Sequence, residues 1–257
     1  VTVYQNDFAS IDASNTSQGY VMVKYNGTNE KVKLRITCPD QSCYTYLISD
    51  RGAYDTFPLT AGNGSYALQV LENVAGDTYT VSLAQSINVN IEDEFLPFLY
   101  PNQYVNFHTD SKAVSKGSDL AKDTYSDLDV VQNIYNYVIK NISYDTEKAQ
   151  NVSYGYVPDI DDTLSSKKGI CFDYAALMAS MLRSQNIPTK LEVGYSGDAY
   201  HAWISTYIDD KGWVDDIIQF NGNTWQIMDP TLAATNDSAA VKKYIGDGSH
   251  YVVKYTY

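Results

Sequence analysis

From Val1 to Tyr100 the chain holds no segment with the apolar spacing of an amphipathic helix, and this restricts its fold more than any other feature. Short runs that alternate apolar and polar residues stand there instead: Tyr20–Tyr25, Val32–Ile36, Ser65–Val70 and Tyr79–Leu83. Asn26-Gly27, Gly62-Asn63-Gly64 and Gly76-Asp77 separate them, residue types that adopt the positive φ of tight turns without strain. Strands of this kind bury one face each. With no helix available to cover that face, the expected solution is a second sheet, an antiparallel β-sandwich of immunoglobulin-like type. No constellation of catalytic side chains is found in this region.

The pattern breaks around Phe95–Pro101, and a polar stretch from Thr109 to Asp123 leads into sequence of another kind. At 257 residues the chain exceeds the ~100–150 of a typical compact domain, so two domains are expected, 1–108 and 109–257. In the second, Asp127–Ile139 reads as an amphipathic helix with Val130, Ile134, Tyr137 and Val138 on one face and Ser126 or Asp127 as its cap. A second helix is expected from Cys171 to Arg183, rich in Ala and Leu, loosened at its entry by Gly169 and stopped by Asn186-Ile187-Pro188. Strand-like runs follow at Lys190–Tyr195, Ala202–Ile208, Gly212–Phe220 and Thr224–Met228, with an Asn221-Gly222 hairpin between the last two and a closing strand at Tyr251–Tyr257. The whole reads as α+β, a β-sandwich followed by a helix packed on an antiparallel sheet.

Eighteen Lys+Arg against 31 Asp+Glu give a net charge of −13, which repels phosphate backbones and anionic lipid, so nucleic acid is excluded as a partner. No run approaches the ~20 apolar residues of a bilayer span, so membrane insertion of this chain is not expected. The chain starts at Val1 without Met and is rich in Asn, Ser, Thr and Tyr, which reads as an export signal or anchor already trimmed from an extracytoplasmic protein, secreted or attached to a bacterial cell surface. Acidity then serves solubility. Six Asn-x-Ser/Thr sequons, at Asn15, Asn26, Asn63, Asn141, Asn151 and Asn236, fit chance occurrence in so Asn- and Ser-rich a chain.

Of three cysteines, Cys38 and Cys43 flank a turn-like spacer and read equally as a small disulfide loop or as two free thiols. Cys171 is left over. Its position in the opening turn of a helix aims unpaired N–H groups and the positive end of the macrodipole at the sulfur, favouring the thiolate that attacks acyl carbon. A base must accompany it. His201 opens a strand that can hold an imidazole rigidly, whereas His108 and His250 fall in expected loops. Asp229, ahead of Pro230 at a strand end, is the candidate to orient that imidazole, with Asp215 and Asp216 as rivals inside a strand. Asp159-Ile-Asp-Asp162 lacks the glycine and terminal glutamate of an EF-hand and reads as a solvated acidic loop; no metal and no cofactor are expected.

Gly169-Ile-Cys171-Phe-Asp-Tyr-Ala-Ala-Leu-Met, Asn186-Ile-Pro188, Val193-Gly194, His201-Ala-Trp203, Gly212-Trp213 and Asp229-Pro-Thr231 together resemble the core of the transglutaminase-like superfamily. The resemblance covers roughly the last half of the chain. It implies a papain-like triad of Cys171, His201 and Asp229, with Tyr174 and Trp203 as structural or pocket-lining neighbours. The stretch from Asp215 to Asn223 departs from the pattern by adding a strand and turn, which bears on the Asp229 assignment. Thiol-dependent acyl transfer or amide hydrolysis on a protein or cell-wall peptide is the activity implied. A catalytically silent surface-binding or adhesion protein on the same fold is the alternative.

Overall fold

The computed structural model describes residues 1–209, 211–215, 218–220, 225–227 and 251–257. They divide into two compact units, Val1–Pro97 and Phe98–Tyr257.

Eight strands build the first unit: β1 (Val3–Gln5), β2 (Ala9–Asp12), β3 (Tyr20–Tyr25), β4 (Val32–Thr37), β5 (Cys43–Leu47), β6 (Asp55–Pro58), β7 (Gly64–Ala75) and β8 (Thr78–Val89). They pair antiparallel in two four-stranded sheets, ordered β1-β2-β3-β6 and β5-β4-β7-β8. The period-two pattern decides which side chains go inward: Val21, Val23 and Tyr25 of β3 and Val32, Leu34 and Ile36 of β4 are buried while their neighbours are not. The inner faces meet where Tyr46 of β5 packs edge-on against Phe57 of β6 at 4.8 Å, and where the Tyr25 hydroxyl donates to Glu72 of β7 at 2.9 Å. The sandwich is therefore present, with β7 and β8 longer than their alternation implied because β8 is largely exposed and polar. Both cysteines here are free thiols: Cys43 faces solvent opposite Thr37, and Cys38, one step further along, is buried.

The second unit runs α1 (Lys112–Ala121), α2 (Asp127–Asn141), β9 (Ser143–Tyr144), α3 (Thr146–Asn151), α4 (Ile160–Ser166), β10 (Lys168–Gly169), α5 (Cys171–Ser184), β11 (Thr189–Ser196), β12 (Ala199–Ile208), β13 (Gly212–Asp215), β14 (Ile218–Phe220), β15 (Trp225–Ile227) and β16 (Tyr251–Thr256). An antiparallel sheet ordered β13-β12-β11-β16 carries α5, which packs on β11 and β12 and is flanked by α1, α2 and α4. Buried on all sides from Asp173 to Arg183, α5 is the centre of the unit. β14 and β15 form a separate antiparallel pair on either side of Asn221-Gly222, which lie outside the described residues. The fold is α+β. Among the described residues no helix is long and apolar enough to cross a membrane.

The segment from Phe98 belongs with this second unit, upstream of the boundary expected after residue 108. The reason is packing: the Phe98 ring meets Trp213 at 5.4 Å, Tyr104 meets Phe172 at 5.2 Å, and the Tyr100 carbonyl accepts from Arg183 at 2.7 Å. The polar stretch from Thr109 to Asp123, read without an element of its own, contains α1. Its start is capped from a distance by Asp161, whose carboxylate accepts from Lys112 N at 3.0 Å and Ala113 N at 2.9 Å, while Asp159 caps α4. The acidic run 159–162 is thus a pair of helix caps, and no cluster of metal-ligating side chains occurs among the described residues. In α2 it is Tyr135 that is buried; Tyr137 is half-exposed under the ammonium of Lys116, 5.2 Å from its ring centre.

Candidate active site

Cys171 is the first residue of α5 and is half-exposed. Ile170 stands at the cap position with extended backbone, φ −91° and ψ 175°. An isoleucine has no side-chain acceptor, so no cap side chain occupies the first-turn N–H groups beside the thiol. The Ile170 N–H itself is taken by the Asp173 carboxylate at 2.9 Å. Helix and cysteine are therefore arranged for an anion at the sulfur or on an oxygen bound next to it.

Asp173 is fully buried, at 0% exposure. One oxygen accepts from Ile170 N and from the Lys148 ammonium at 2.8 Å, and the other from the Tyr156 hydroxyl at 2.5 Å. Burial first, and then the bond to Asp173, pushes the Tyr156 phenol well above its ordinary range, which keeps it a donor. Lys148 also sits 4.5 Å from the centre of the Tyr156 ring. An aspartate at the third position of a helix is a readable capping signal, but its partners Lys148 and Tyr156 carry no local pattern, and the sequence reading missed all three.

His201 lies on β12, 1% exposed, directly opposite Gly194 of β11. The imidazole is set among aromatic rings, 5.8 Å from Trp203 and 6.2 Å from Tyr251 by centroids. Tyr200, the preceding residue, is exposed and stands across from Tyr195 with ring centres 5.5 Å apart. Partial burial of its ring, then the neighbouring phenols of Tyr255 and Tyr195, then the Cys171 thiol raise the Tyr200 phenol above its usual range.

Tyr174 and Trp203 present no surface to a substrate. Tyr174 is 0% exposed and donates to the Ile142 carbonyl at 2.7 Å, tying α5 to the end of α2. Trp203 is 2% exposed, and its indole N–H donates at 3.0 Å to the buried carboxylate of Glu192, its cross-strand partner. Both hold the scaffold, the structural one of the two roles expected of them. Asp229, Asp216 and His250 lie outside the described residues, and Asp215 closes β13 opposite Ser205. His108 is in the connection before α1, where its carbonyl accepts from Ser111 N at 3.0 Å.

Residues 115–215 match the family model of the transglutaminase-like superfamily, and the second unit accordingly carries a transglutaminase-like core. The chain is 30% identical over 118 residues to UPF0252 protein MJ1282 of Methanocaldococcus jannaschii, a match that covers 40% of this chain and 34% of that protein. It is also 30% identical over 107 residues to the kyphoscoliosis peptidase of Mus musculus, covering 37% of this chain and 16% of that one. The chain thus spans about a third or less of the length of these relatives. Among solved structures, the periplasmic domain of TgpA from Pseudomonas aeruginosa aligns over 94% of this chain and 98% of its own at 13% identity, with a TM-score of 0.45.

Proposed function

We propose that the second unit is a thiol enzyme that breaks or exchanges amide bonds in a protein or peptide outside the cytoplasm, with Cys171 as nucleophile, His201 as base and Asp229 as the carboxylate that orients the imidazole. The observation that carries this reading is the half-exposed thiol at the apolar-capped start of α5, a helix that packs on the strand bearing a buried histidine. The thiolate adds to the amide carbon, forming a C–S bond and an oxyanion that the first-turn N–H groups can bind. The C–N bond then breaks as the imidazolium gives its proton to the leaving amine. Water resolves the thioester to an acid, or a second amine resolves it to a new amide. A relative named as a peptidase supports hydrolysis. The net charge of −13 supports a peptide in place of a nucleic acid as substrate.

Alkylation with iodoacetamide tests the proposal. Cys43 is an exposed thiol and would react too, so the measurement is made on a protein carrying Cys38→Ser and Cys43→Ser. Cys171 is expected to alkylate well below pH 8, and to slow at least about tenfold there on His201→Ala. Equal and slow alkylation in both proteins would reject the enzyme and leave a binding protein on an enzyme fold. Incorporation of a labelled primary amine, measured beside peptide hydrolysis, then separates transfer from hydrolysis.

A further inference from the structure

A buried carboxylate stands two residues from the proposed nucleophile, and its charge needs an account. Asp173 occupies the same positive helix end that favours the Cys171 thiolate, and a second negative charge there works against the first. The carboxylate is also well held: it locks the Ile170 N–H at the helix cap, and Gly169 passes so close that a Cβ there would come within 2.7 Å of the Asp173 Cβ. What offsets its charge comes from elsewhere in the chain. The segment holding Lys148 and Tyr156 is anchored beside it by the parallel β9–β10 pair and by Asp145 N donating to the Gly169 carbonyl at 2.9 Å.

We infer that Asp173 is a positioning residue for Cys171 and that Lys148 acts through it, cancelling its charge so that the carboxylate can fix the first turn of α5 without suppressing the thiolate. Asp173 sets geometry and Lys148 sets electrostatics, with the Tyr156 hydroxyl filling the remaining oxygen. Among the described residues Tyr200 on β12 also bears on the thiol, and Asp159 and Asp162 at the start of α4 bear on the Tyr156 phenol. They are common to every variant below and do not distinguish them.

This inference rests on the proposed role of Cys171, and its test is the pH midpoint of Cys171 alkylation in the Cys38→Ser, Cys43→Ser protein. Lys148→Met leaves the carboxylate uncompensated and is expected to move the midpoint up by about half a unit to one unit, a three- to tenfold lower thiolate fraction at low pH. Asp173→Asn leaves the ammonium uncompensated and moves it down. Lys148→Arg restores the wild-type midpoint. A purely structural latch would lower thermal stability or the limiting rate in both variants without opposed shifts, and wild-type midpoints in folded Lys148→Met and Asp173→Asn proteins overturn the inference. Should Asp173→Asn fail to fold, the Lys148→Met and Lys148→Arg pair decides, since Lys148 is only partly buried. Failure of the enzyme reading shows separately, as an alkylation profile indifferent to His201→Ala.

Discussion

Gly194 and His201 face each other across the β11–β12 ladder, and the same glycine sits where the β11–β16 pairing slips register, directly under the Val252 carbonyl. A Cβ at 194 would overlap that carbonyl oxygen. Gly194→Ala is therefore expected to push β16 off β11 and lower stability by roughly 2 kcal/mol or more. It should slow the proposed reaction as well, because the histidine's cross-strand partner moves. Denaturant midpoints together with Cys171 alkylation rates check both effects; an alanine variant of unchanged stability would mean that β16 is not held against this strand.

Arg183 is 3% exposed and sends three hydrogen bonds to backbone oxygens: Nε to Thr189 at 2.9 Å, Nη1 to Tyr100 at 2.7 Å and Nη2 to Tyr257 at 2.9 Å. Burial pushes the guanidinium down to about 9. One fork thus joins α5, the start of β11, the chain ahead of α1 and the residue after β16. A lysine keeps the charge but cannot reproduce the fork, so Arg183→Lys is expected to cost about 2 kcal/mol or more in chemical denaturation.

Tyr174→Phe separates the structural role of this residue from a substrate contact. The variant leaves the Ile142 carbonyl without its donor and should lose about 1 kcal/mol of stability. The ratio of hydrolysis rates for two different peptides should not move. A changed preference would return Tyr174 to the substrate site.

Alkali should unfold both units through their phenols. Tyr25 and Tyr66 in the first and Tyr156 and Tyr174 in the second all have values raised above the ordinary 10, with burial the largest cause in each. A raised phenol keeps its proton in the folded chain and gives it up in the unfolded one. The stability it contributes is full below pH 10 and is lost as pH rises toward the folded value, by up to about 1.4 kcal/mol per pH unit for each phenol. Phenolate absorbance followed beside circular dichroism should show a late class of tyrosines ionising together with loss of structure. Ionisation of all of them near pH 10 in a folded protein would contradict this.

Strand alternation carried the first unit because each strand there has one wet face and one dry one, so β3 and β4 could be read to within a residue. Helices α2 and α5 were legible for a similar reason, a long apolar pattern with a cap or a stop at its ends. α1 was not. It is short and polar, and its cap, Asp161, lies far along the sequence, a relationship no local pattern expresses. Cys171 was legible because a helix start is a local event, whereas the Lys148–Asp173–Tyr156 contact joins pieces of chain that only folding brings together. Which of its two expected roles Tyr174 would take was not legible for a different reason: proximity to Cys171 in sequence does not say on which side of an all-round-buried helix a ring will fall.

The place of β16 beside β11 imposes an order on biosynthesis. The thiol and histidine are translated well before the strand that completes their sheet, and until Tyr251–Thr256 has left the ribosome, β11 has a bare edge and Arg183 lacks its Tyr257 acceptor. A nascent chain therefore carries its thiol and imidazole on an unfinished scaffold until β16 has been made and has paired.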